Sequence, residues 1–374
     1  MDNANFDPGA IKMRDFYAMK KNAPIYHQEF GYYVMDRWKR EGHIKEGDDL
    51  NVIFNYDPPG KSHVHGLGWC EANFIPGYTE EVLKDLGEHE LVRDNAGRSV
   101  LYFKGRRNGF MPEYVEHPVK DFYTWEKDVK WRLDPSTAKR YENIEKNMKD
   151  EIKKAERGQI ICQGVIGGYM YLRSLIGPED LLYMFYDNPK LVHSCMEAWF
   201  LLADAVIAKH QEYITFDELY FGEDICYKSG PLISPDMMRE FLFPYYQQLI
   251  NNMKKRQLDK SRHLYFQIDT DGDARPVIPL YQELGMDYMS PFEVASDCDV
   301  VEIRKQYPEL LMRGGIDKRV LAQGKEAIDR MVERIIPFMR EQGGYIPTCD
   351  HGVPEEVSFD DYIHYRKRMI ELGG

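Results

Sequence analysis

The 374 residues contain no Cys-x-x-Cys pair, no Gly-x-Gly-x-x-Gly fingerprint and no low-complexity segment or short repeat. The six cysteines, Cys70, Cys162, Cys195, Cys226, Cys298 and Cys349, stand far apart. That spread speaks against a zinc knuckle or a disulfide-stapled fold and for free thiols in a reducing compartment. Without the glycine fingerprint after a strand, dinucleotide binding has little support. No unbroken apolar run approaches the roughly 18 residues a membrane span needs. The opening MDNANFDPGA shows no basic-then-apolar leader, so no membrane partner and a cytoplasmic location are expected. Positive charge is in the minority, with 49 Lys and Arg against 62 Asp and Glu and a net charge of −13. A phosphate backbone needs a basic surface, so nucleic acid is set aside as a partner.

What is present is apolar mass and a recurring unit. Hydrophobic residues make up 43% of the chain, and there are 26 tyrosines. Four times after His263 a short apolar strand runs into a Gly-, Pro- or acid-rich stop. The four are HLYFQIDTDGD (263–273), MDYMSPFE (286–293), LLMRGGID (310–317) and GGYIPTCDHGVP (343–354). A helix-like stretch follows each of the first three. That alternation is the signature of parallel α/β units. Upstream, QIICQGVIGG and DELYFGED read as strands, Asn188-Pro189 breaks a helical stretch, and Ser234-Pro235 opens another helix. Counting from residue 51 gives roughly eight strand–helix units, the number that closes a (β/α)8 TIM barrel. An open doubly wound sheet is the alternative. The first 157 residues read as an N-terminal elaboration of a single domain spanning 1–374, with regular units over 158–374. In it, IYHQEFGYYVMDRWKREG has helical spacing and LNVIFNYD reads as a strand. HELVRD and RSVLYF flank an Asn-Ala-Gly turn as a β-hairpin, and 118–156 reads as a solvated, Lys/Glu-rich helix.

In parallel barrels the carboxyl ends of the strands share one face, where ligands bind. Asp269, Asp271, Glu293, Asp317, Asp350 and His351 are therefore candidates for one site. Crowded carboxylates such as Asp269-Thr-Asp271-Gly-Asp273 raise one another's pKa or recruit a cation; they also make ordinary caps and turns. Glu223 and Asp224 end the DELYFGED strand, and alternation lets only one of them face the mouth. Glu293 beside Pro291-Phe292 suits a proton donor, or a salt bridge to a neighbour such as Arg313. His351 suits a metal ligand, with Cys349 in the core or behind it. His63 and His65 share one side of a strand and form a weaker metal pair, the basis of a hydrolase reading. Gly314-Gly315 serves a phosphate cradle or a tight turn equally well.

Long segments carry a resemblance: IGPEDLLYMFYDNPKLVH (176–193), ELYFGEDICYKSGPLISPDMMREFLFPYY (218–246), DTDGD (269–273), SPFEVASDCDVVEIRKQYP (290–308), RGGIDKRVLAQGKEAID (313–329) and GGYIPTCDHGVPEEVSFDDY (343–362). Together they resemble the uroporphyrinogen decarboxylase superfamily, and within it the corrinoid-linked methyltransferase branch. The resemblance implies a (β/α)8 barrel with an N-terminal helical and hairpin elaboration. The decarboxylases' Arg-rich, carboxylate-gripping segment is missing here. Thiol-methylating relatives hold zinc with His-x-Cys and a late Cys. This chain has Asp269-Thr-Asp271 and His351 in those places, which implies Asp269, Asp271 and His351 as ligands of a metal, Zn2+ in those relatives, with an oxygen substrate, or else proton transfer without a metal. The resemblance further implies methyl transfer from a methoxylated aromatic to the cobalamin-type corrinoid of a small partner protein. Glu223 or Glu293 would be the acid, and Tyr169, Tyr171, Tyr227 and Lys228 would line the substrate slot. A non-catalytic corrinoid or tetrapyrrole binder and a lyase or hydrolase of the same barrel are the alternatives. The assembly state is open, a homodimer included.

Overall fold

The computed structural model describes residues 5–64, 66–105 and 112–374. In chain order its strands are β1 (Lys61–Val64), β2 (Glu81–Asp85), β3 (His89–Arg93), β4 (Ser99–Phe103), β5 (Glu113–Glu116), β6 (Ile160–Ile166), β7 (Glu218–Gly222), β8 (Cys226–Tyr227), β9 (Gly230–Pro231), β10 (Tyr265–Asp269), β11 (Tyr288–Ser290), β12 (Leu311–Arg313) and β13 (Tyr345–Ile346). Seven of them form a parallel sheet in the order β1-β6-β7-β10-β11-β12-β13, with helices between successive strands. This is the curled sheet of a TIM-barrel fold. Among the described residues the sheet has seven strands rather than the eight expected.

Residue alternation sorts the barrel into two cores. Leu219, Phe221, Phe266, Ile268, Met289 and Met312 point outward into the main apolar cluster beneath the helices. The longest helix, Pro189–Gln211, is apolar enough to cross a membrane by length and composition, but most of that stretch is buried in this layer. Several lumen-facing positions are polar instead. Lys61 of β1 pairs with Glu218 of β7 and reaches Gln267 of β10 at 3.3 Å. Glu218 also accepts from Cys162 and from Tyr17.

Tyr17 belongs to helix α1 (Pro8–Tyr17), which plugs the amino-terminal end of the barrel with Met13, Phe16, Tyr288, Leu311 and Ile346. Close approach requires glycine there: a Cβ on Gly9 would lie 1.9 Å from the Pro58 carbonyl oxygen. No pairing joins β1 to β13 among the described residues. The chain around Tyr26–Tyr32 lies beside them, with Tyr33 N–H donating to the Val353 carbonyl at 2.9 Å.

Several expectations hold. The hairpin is β3–β4, Asn188-Pro189 separates two helices, and the Ser234 side chain caps its helix. Others do not. LNVIFNYD forms a short helix, α2 being Met35–Arg40 and α3 Leu50–Ile53, because the Asp49 carboxylate accepts from Asn51 N–H and starts a turn. Apolar content alone cannot separate a short helix from a strand. Residues 24–31 form neither helix nor strand, and the helix expected there begins only at Met35. Strands β2 and β5 flank the hairpin and make a four-stranded antiparallel sheet. Both are wholly exposed and carry no buried alternation to read.

Candidate active site

Three loops at the carboxyl ends of the strands bring Asp271, Glu293 and His351 together. One ligand atom from each lies within 4.8 Å of the others, the one such His/Cys/Asp/Glu group among the described residues. His351 Nε2 is 3.2 Å from Asp271 Oδ2, and its Nδ1 is 3.4 Å from Glu293 Oε1. The Gly272 N–H donates to Glu293 Oε2 at 2.8 Å. The imidazole packs against the ring of Phe30, 5.2 Å between centroids. Hydrogen bonding to Asp271 raises the His351 pKa against the opposing effect of burial, and Glu293 adds to the rise. An imidazole whose protonated form is favoured by a neighbouring carboxylate suits a proton donor. The same two oxygens and one nitrogen also suit a divalent cation with open positions.

The local chain is built for this meeting. Phe292 holds a left-handed backbone, φ 57°, while its ring is fully buried, and this turn aims Glu293. Gly272 has φ 74°, and a Cβ there would lie 2.5 Å from the Tyr227 carbonyl oxygen, so the β8–β9 ribbon settles directly on the Asp271–Asp273 turn.

The other expected residues fall elsewhere. Asp269 does not join the cluster. It accepts from Ser290 Oγ and pairs with Arg313 at 3.5 Å, so Arg313 serves Asp269 rather than Glu293. Burial, partly offset by Arg313, pushes the Asp269 carboxyl up to about 6. Glu223 is fully buried behind the sheet, where the Tyr246 hydroxyl reaches its two oxygens at 2.7 and 2.9 Å. Burial pushes its carboxyl up to about 7. Its neighbour Asp224 takes the mouth side and pairs with Arg173. Tyr169 and Tyr171 are buried in the helix layer. Tyr227 is exposed on the ribbon, with Lys228 Nζ 5.6 Å from its ring. Asp317 pairs with Arg319, and Asp350 pairs with Lys318 while accepting from Val294 N–H. His63 faces Tyr220, 6.1 Å between ring centroids, and His65 lies outside the described residues.

Sequence reasoning missed Phe30 and Trp69, whose indole stacks on Tyr220 at 5.7 Å. Both sit in the N-terminal part: Phe30 lies in a segment whose spacing reads as helical, and nothing in the sequence ties either residue to a strand end. Arg313 carried a readable signal, since it ends a strand just before Gly314-Gly315.

The model of the family described as uroporphyrinogen decarboxylase (URO-D) matches residues 126–367. The chain belongs to that family. It is 25% identical over 219 residues to uroporphyrinogen decarboxylase of Anaeromyxobacter sp. (strain Fw109-5), 54% of this chain and 56% of that protein. Over 190 residues it is 23% identical to the Hydrogenobaculum sp. (strain Y04AAS1) protein of the same name, half of each chain. The chain thus spans about half the length of the curated relatives it matches. Among solved structures, a methyltransferase from Methanosarcina mazei superposes with a TM-score of 0.52, covering 97% of this chain and 98% of that one. At 12% identity that likeness is one of fold. The family model takes in all three residues of the cluster and leaves α1 outside it.

Proposed function

We propose that this chain is a methyltransferase, moving a methyl group from a methoxylated aromatic to the cobalt of a corrinoid carried by a separate small protein. The observation that carries the reading is the Asp271–Glu293–His351 cluster at the carboxyl end of the barrel. An aryl methyl ether reacts slowly because phenolate is a poor leaving group. A proton or Lewis acid at the ether oxygen offsets the developing charge. His351, whose protonated form the Asp271 carboxylate favours, donates a proton to the aryl oxygen as the methyl–oxygen bond breaks and its electron pair stays on that oxygen. The methyl group leaves bonded to the acceptor, and the product is the phenol. The corrinoid supplies the methyl acceptor. A divalent cation, zinc first among them, would be held by Asp271, Glu293 and His351, and when bound supplies Lewis acidity at the same oxygen. Asp271 and Glu293 also orient the imidazole, and Phe30 covers one side of it.

The test is methyl transfer from methoxylated benzenes to cob(I)alamin, followed by the change in corrinoid absorbance. His351→Ala and Glu293→Gln are expected to lose about 100-fold or more in rate, the usual worth of a positioned proton donor. An unchanged rate in His351→Ala would sink the assignment.

A further inference from the structure

A cavity of about 600 Å³ runs from the barrel lumen out between β1 and β13, a volume suited to a small organic molecule. Its inner end is lined by Lys61, His63, Tyr288 and Arg313, and its outer part by Tyr26, Tyr32 and Tyr56. Arg313 is held loosely for a guanidinium inside a protein. Its Nη2 reaches Ser290 Oγ and Asp269 Oδ2, each at 3.5 Å, the outer limit of a hydrogen bond. Its Nε is buried without an acceptor. A guanidinium carries five donors in a flat fork that matches a carboxylate. Buried donors without acceptors are rare in native folds and call for an acceptor that completes them.

The other charges on the walls are already engaged. Lys61 is taken by Glu218, and Asp57 by Lys12. Glu29 accepts from the N–H groups of Phe30 and Cys349 and from the Tyr362 hydroxyl. Asp48 accepts from Lys45 N–H, and Asp49 caps α3. Arg313 is thus the cation on these walls with donors to spare, and tyrosine rings flank the route to it.

We propose that this cavity binds a small aromatic carboxylate, with Arg313 as the residue that selects the carboxylate. As a statement about the methyl donor, the inference rests on the function proposed above; as a statement about binding, it does not. Asp269, the ion-pair partner of Arg313, stands two residues before Asp271 in the chain, while Asp271, Glu293 and His351 do not themselves line the cavity.

The experiment is calorimetric titration of the protein with 4-methoxybenzoate and with its neutral isostere 4-methoxybenzamide. The acid is expected to bind at least about tenfold more tightly, the worth of one charge-assisted hydrogen bond. Arg313→Met should abolish that preference, and Arg313→Lys should keep part of it. Because Arg313→Met leaves Asp269 without its cation, the double variant Asp269→Asn/Arg313→Met, which removes both charges, is titrated beside it. Equal affinity for acid and amide in the native protein overturns the proposal. So does a preference for the acid that survives in both variants. Binding is read without turnover, so an Arg313-dependent preference with no methyl transfer supports the subsite and counts against the methyltransferase reading alone.

Discussion

Glu223 and Asp224 show how one residue of register decides a role. Both follow the same strand, and both are candidates by position. Glu223 continues the outward face of Leu219 and Phe221, where Tyr246 holds it, and Asp224, at a left-handed φ of 45°, turns away and pairs with Arg173. The consequence for Glu223 is measurable. A glutamate carboxyl ordinarily titrates near 4.5, and burial pushes this one up to about 7. Between those values the folded protein keeps a proton that the unfolded chain has lost. Stability therefore falls as pH rises through that window, by roughly 1 kcal/mol per pH unit, and levels off above it. Glu223→Gln should remove the Glu223 share of the slope, leaving that of Asp269, while still accepting the Tyr246 hydroxyl. Urea unfolding at pH 5 and pH 8 checks this: the variant should gain on the native protein at the higher pH. Methyl transfer should survive in the same variant, since the side chain lies away from the cluster.

At the level of elements, the strand ends depend on backbones that touch. Gly314 follows β12 with φ 106°, and a Cβ there would stand 1.6 Å from the Pro291 carbonyl oxygen, just ahead of the turn that aims Glu293. Gly314→Ala should cost more than about 2 kcal/mol, because strain and a backbone clash act together. A smaller shift in the unfolding midpoint would mean that β11 and β12 part without cost. Helix α1 is tied to the sheet by the Tyr17–Glu218 contact. Tyr17→Phe leaves one side of a buried carboxylate without its donor and should cost about 1–3 kcal/mol in denaturant unfolding. The regular units were legible as elements because strand, polar stop and helix repeat in order. The irregular first part was not: α3 is four residues started by the Asp49 cap, too short to show a helical period, and residues 24–31 are held by distant partners such as the Gly373 carbonyl on Ile25 N–H.

For the whole molecule, the ligand cluster forms only when three separate loops close on one face. A cation bound there would stabilise the folded state by mass action, about 2.7 kcal/mol at 100 times its dissociation constant. Zinc added to metal-free protein should raise the thermal midpoint of the native chain and leave Asp271→Ala unmoved. An equal response in both would place the ion elsewhere.

By itself, the sequence determined the class of the fold, because period and punctuation are local properties that each segment carries alone. It also determined that Asp271, Glu293 and His351 stand at strand ends, since the ends are marked by Gly, Pro and acids. Which acid meets His351 was decided only by the tertiary structure. Asp269 and Asp271 are two residues apart, and a strand's last turn places one on Arg313 in the lumen and the other on the imidazole at the mouth. Partners more than forty residues distant made that choice, and no local pattern in the chain records them.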